Sequence, residues 1–264
     1  MINSKQIALI KKDIRAVTTN KRLFSVLLIV PLVMTVFIPS IFIIIAGVVP
    51  LDSNDFQSLI ATFNLEDMLD GDLREMLIKI VLNELLPLFF MMIPVMSASI
   101  MAASSFIGEK EKRTLETLLY CPLSLRQIFD AKIIASFLIS QLVSLISVAA
   151  MFLVVQLEVF IILGVLIPVE ISWLILLLLV SPALALTTIT IIVRGSAKAK
   201  SVEESQQRSV FMVIPIVLLI VMQASGLQIL SVWLLFALGV ICALVGFVLL
   251  KRASANFHYE SLLL

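Results

Sequence analysis

One histidine, two cysteines and eight glycines in 264 residues leave little material for catalysis. The lone histidine, His258, lies in the polar tail, so histidine metal clusters and serine–histidine nucleophilic pairs are excluded. Cys121 falls in a polar segment and Cys242 in an apolar run, so neither a disulfide nor a redox pair is expected. No G-x-x-x-x-G-K-[ST] phosphate loop occurs; the glycine beside the basic run "RGSAKAKS" lacks its second glycine. Charge is scarce as well. Charged residues make up 14% of the chain against 61% hydrophobic, far from the soluble average.

What is present is a mean hydropathy of +1.16, concentrated in runs long enough to cross a bilayer. The basic residues are sorted between those runs. Seventeen of the nineteen Lys and Arg fall in 1–22, 108–132, 194–208 and 251–252. The alternate breaks differ: 50–81 is acidic, and 156–170 and 225–228 contain neither Lys nor Arg. This alternation is the positive-inside pattern of a multi-pass membrane protein, with an even number of crossings and both termini in the cytoplasm. The net charge of +1 therefore conceals a charge separation and points to no nucleic-acid partner.

The expected fold is all-α and integral to the membrane, a single domain over 1–264. Spans are predicted at 23–49, 85–107, 133–155, 171–193, 209–224 and 229–250, the fifth being only about 24 Å long at 1.5 Å per residue. Twenty-two polar-rich residues precede the first run, too long itself for a signal h-region, so it is expected to stay as an anchor. Pro31 and Pro39 are kink sites in span one. Residues 2–18 read as an interfacial helix on anionic lipid, with Ile7, Ile10, Ile14 and Val17 on one arc and Lys5, Lys11, Lys12 and Arg15 beside it. The acidic segment 50–81 is expected to hold a short amphipathic helix over the outer mouth. Phe160 to Pro168, bounded by Glu158 and Glu170, is too short to span and is expected to dip into the outer leaflet.

The most structured polar segment is "GEKEKRTLETLLYCPLS" at 108–124. Glu109 with Arg113 and Lys112 with Glu116 are i,i+4 pairs, Leu115, Leu118 and Leu119 form one face, and Pro122 ends the helix. Ser124 with Gln127 has the form of a capping box opening span three. Extended to Ile128 and Lys132, this region resembles the signature of ABC type-2 permeases, the membrane subunits of ATP-driven exporters. The matching positions are Gly108, Glu109, Glu111, Arg113, Thr114, Leu115, Glu116, Leu118, Leu119, Pro122, Leu123 and Ser124.

The resemblance implies that 108–125 is a coupling helix docked on a separate ATPase subunit that binds ATP and Mg. In that case Glu109, Glu111, Arg113 and Glu116 would be polar contacts, and Leu115 and Leu118 apolar ones. It also implies a second permease, identical or a sister protein, and no cofactor in this chain. Arg194, Lys198, Lys200 and Arg208 form a candidate second cytoplasmic contact. Candidate path residues are Glu84, the best-placed membrane acid, and Ser136, Ser140 and Ser144, whose small hydroxyls at helical spacing equally suit close helix packing. Charge-free spans favour an amphipathic or lipid-soluble cargo, with sodium extrusion and a non-transporting scaffold as the alternatives.

Overall fold

The computed structural model describes residues 3–48, 73–111, 123–195, 201–207, 209–225 and 231–255. Among them there are helices and no strands. Helix α1 (Ser4–Thr19) is followed by α2 (Lys21–Leu32) and α3 (Ile38–Val48). Next come α4 (Leu73–Ile80), α5 (Leu86–Glu111), α6 (Leu125–Leu163), α7 (Ile171–Ile175) and α8 (Ser181–Gly195). Helices α9 (Val202–Gln207), α10 (Val210–Ala224) and α11 (Val232–Ala255) complete the order. Six stretches are long and apolar enough to cross a membrane: Leu23–Ile45, Leu77–Glu111, Leu125–Leu163, Ile171–Gly195, Val202–Ala224 and Val232–Ala253. These are spans one to six. The fifth stretch takes in both α9 and α10, 23 residues against the 16 of 209–224.

Prolines shape three of the spans in the same way. The π turns Val33–Phe37, Val81–Leu85 and Leu176–Val180 each end two residues before a proline: Pro39, Pro87 and Pro182. The amide just ahead of each proline reaches back five residues, Ile38 to Val33, Leu86 to Val81 and Ser181 to Leu176. Proline has no N–H and its ring clashes with the carbonyl four residues back, so a locally widened helix relieves the clash without a break. In span two this leaves the Leu82 carbonyl without a helical donor. Trp173 supplies one, its Nε1 donating at 3.2 Å, while Phe90 and Phe152 meet the indole edge-on at 5.8 and 5.1 Å. The tryptophan thus ties the start of span four to span two.

Spans two and four form the centre, and the other four surround them. Span six packs on span four through two glycines. A Cβ on Gly239 would come within 2.8 Å of Leu179 Cγ, and one on Gly246 within 2.9 Å of Thr187 Cγ2. Absence of side chains is what allows that approach.

Three local expectations change. Phe160 to Leu163 is the last turn of span three, not a separate dip. A left-handed Gly164, at φ 70°, caps a helix of 39 residues. The chain then folds back, and Gln156 holds Ile167 through Nε2 to its carbonyl (2.6 Å) and Oε1 from its amide (3.3 Å). At the acidic segment, residues 73–80 are helical but run directly into span two rather than lying apart from it, while 49–72 lie outside the described residues. In α1, the face turned to the protein is Gln6, Leu9, Asp13 and Val17, and Ile7 stays 56% exposed. The helix therefore has three sectors: a protein face, a neighbouring isoleucine face, and a basic arc.

Candidate functional site

The α1 end of the molecule holds a buried ionic cluster drawn from three elements. Each is placed by a local signal. A capping box of Asn3 and Gln6 starts α1, and the second, Ser124 with Gln127, starts span three as expected. Two turns beyond that cap, Lys132 points inward. Gln6 Nε2 also donates to the Gln127 carbonyl at 3.3 Å, fixing α1 across the first turn of span three.

Lys132 is 2% exposed. Its ammonium lies 2.9 Å from Glu109 Oε2, 3.5 Å from Asp13 Oδ2 and 2.6 Å from the Ser105 carbonyl. It also sits 5.6 Å over the Phe106 ring. Ser105 Oγ donates to Asp13 Oδ2 at 3.0 Å, and Lys12 reaches Glu109 Oε1 at 2.6 Å and Asp13 Oδ1 at 3.4 Å. Two carboxylates and two ammonium groups make the cluster neutral. A buried charge left alone would be costly, and here each is met by an opposite charge and further hydrogen bonds. Burial tends to lower the Lys12 pKa. The hydrogen bond and charge of Glu109, with the charge of Asp13, outweigh it and hold Lys12 above its ordinary 10.5. Beside the cluster lies a cavity of about 210 Å³ reaching Val17, Leu23 and Met101.

This arrangement joins α1, the last turn of span two and the first turns of span three into one unit. Such a clamp can transmit displacement, because stretching it exposes charge to an apolar interior.

The predicted site residues separate into groups. Gly108 is buried, Glu109 turns inward to the clamp, and Glu111 is exposed at the helix end. Glu109 is thus engaged by Lys12 and Lys132 rather than displayed outward. Arg113, Thr114, Leu115, Glu116 and Leu118 lie outside the described residues, as do Lys198, Lys200 and Arg208; Arg194 is exposed. Glu84 sits on the π turn of span two and accepts a 2.7 Å hydrogen bond from Gln223 Nε2 of span five, whose side chain is buried. Ser136, Ser140 and Ser144 are all buried, and Ser140 Oγ meets Ser97 Oγ at 2.9 Å and the Pro94 carbonyl at 3.2 Å. Among the described residues no group of three or more His, Cys, Asp or Glu could hold a metal.

Asp13 was missed by reading the sequence, although a signal existed: it is the only acid in the basic segment 1–22. An isolated acid on the buried face of an otherwise basic helix implies a cation opposite.

No curated protein and no solved structure matches the chain. A family model, that of the ABC-2 family transporter protein, matches residues 7–258, from within α1 to the tail beyond span six. With six membrane-crossing helices and a match over nearly its whole length, the chain belongs to the ABC-2 family of transporter membrane proteins.

Proposed function

We propose that the chain is the permease of an ABC exporter whose ATP is hydrolysed by a separate subunit docked on the segment 108–125. The clamp is the observation that carries this reading. Glu109 stands at the entrance to that segment and Lys132 just beyond its exit, and both grip Asp13 of α1 directly or through Lys12. A push delivered to 112–122 by ATPase closure would reach spans two, three and one together, because α1 leads directly into span one. The α1 end is cytoplasmic in this reading, as its basic charge requires, and the isoleucine and lysine sectors of α1 rest on the inner lipid surface. A second permease, identical or a sister chain, completes the path, and an amphipathic or lipid-soluble cargo leaves outward. Sodium extrusion is the alternative cargo, with Glu84 as its nearest acid.

The test is co-purification in mild detergent followed by mass spectrometry. Wild type should bring down a Walker-motif ATPase, and Arg113→Glu with Glu116→Lys should lose it while α1 stays docked. Absence of an ATPase from wild type in several gentle detergents overturns the exporter reading in favour of a scaffold. If the ATPase is retained, loss of salt tolerance in Glu84→Gln separates sodium from apolar cargo.

A further inference from the structure

Spans five and six follow one another in the chain yet have different packing partners. Span five lies on span two and span six on span four. Between them is a slot of about 230 Å³ lined by 184–191 of span four, 212–219 of span five and 238–245 of span six, with Met91 as its floor. The lining is apolar. Its one hydroxyl, Thr187 Oγ1, is already bonded to the Ala183 and Leu184 carbonyls at 3.0 and 2.8 Å.

Seven residues of helix rise about 10 Å, so the slot runs about that far along the spans. Its narrow form and wholly apolar walls suit a single extended hydrocarbon chain.

One end of the slot carries positive charge. Gly246 meets Thr187 and Gly239 meets Val180, so spans four and six run parallel with a constant offset of 59 positions. That offset sets Arg194 level with Ala253, beside Lys251 and Arg252, and all three cations are exposed. Arg194 lies only about 4.5 Å of helix rise beyond Ile191, at the slot's end. The nearby acids Glu203 and Glu204 are on α9, which packs chiefly on span two. We propose that this is a binding site for an anionic glycerophospholipid: one acyl chain in the slot, its phosphate at Arg194, Lys251 and Arg252. Basic groups at the ends of spans bind anionic headgroups in this way. The site requires neither the ATPase nor the coupling segment, so it stands apart from the functional reading above.

Cys242 lines the slot and supplies the readout. In a full-length Cys121→Ser chain it is the sole thiol. The chain is placed in phosphatidylcholine nanodiscs, with or without dioleoyl phosphatidylglycerol, and alkylated with a lipid-soluble maleimide. Alkylation should slow at least fivefold with phosphatidylglycerol. The slowing should vanish in Arg194→Gln/Lys251→Gln/Arg252→Gln, and dihexanoyl phosphatidylglycerol, too short to fill the slot, should not protect. Equal rates in both discs overturn the site, and this comparison needs no charge variant. Protection that follows protein concentration instead of lipid would assign the slot to a second copy, and undiminished protection in the triple variant would remove the headgroup contact. Either result also overturns the proposal.

Discussion

Lys132 and Asp13 stand 119 positions apart in the chain and meet 3.5 Å apart in the structure, with Glu109 on the other side of the same ammonium. Removing Lys132 leaves both carboxylates short of their shared partner in a buried place. Lys132→Met should therefore cost about 3–5 kcal/mol, the range for a broken buried pair. It should also free α1. A fall in melting temperature with faster tryptic cleavage within 5–22 is the expected result; unchanged cleavage would show that α1 is held by its apolar contacts alone.

Lys12 gives the clamp a defined pH range. Its folded pKa lies above the unfolded 10.5, so the stability it contributes is fully present below 10.5 and is lost as pH rises through the folded value. Its side chain is half exposed, so the contribution is small. Tryptic release of α1, measured after brief exposure and return to neutral pH, should be flat from pH 7 to 10 and rise above that. Lys12→Ala should remove the alkaline step and leave a constant, slightly higher rate.

Trp173 fills a carbonyl that the π turn and Pro87 together leave without a donor. Trp173→Phe keeps most of the ring contacts but strips Leu82 of its hydrogen bond, an expected loss of about 1–3 kcal/mol. Thermal unfolding in detergent reads the loss. Substituting Trp233, 83% exposed, with Phe is the control and should change stability little.

The glycines of span six and Gly164 should fail differently. Gly246→Ala forces a methyl against Thr187 and should cost about 1–3 kcal/mol by overpacking, with Thr187→Ser restoring part of it by removing the clashing methyl. Gly164→Ala meets open space, and its cost of about 1–2 kcal/mol comes from the left-handed backbone instead. No neighbouring substitution should rescue that one.

Much of the architecture is legible in the sequence. The six spans, the α1 helix and the Ser124 cap all follow from patterns contained within a few turns of chain. The errors came where one apolar run had to be divided from the next. Glu158 suggested a break near 160, but hydrogen bonding continues to Gly164, where a left-handed residue ends it. At the site, the sequence marked Glu109 as one of several surface charges. Its inward position depends on Lys132 and Lys12, which belong to other elements.

The sequence by itself determined membrane insertion, the number of crossings and the segregation of basic charge, because transfer free energy sums over about 20 neighbouring residues whatever their partners. Tertiary structure decided which face of α1 is buried, which carboxylates share Lys132, and where spans five and six part to leave a slot. Those outcomes depend on shape and on distances of a few ångströms between residues far apart in the chain. Charge–charge and packing energies fall away steeply over such distances, and no local pattern encodes them.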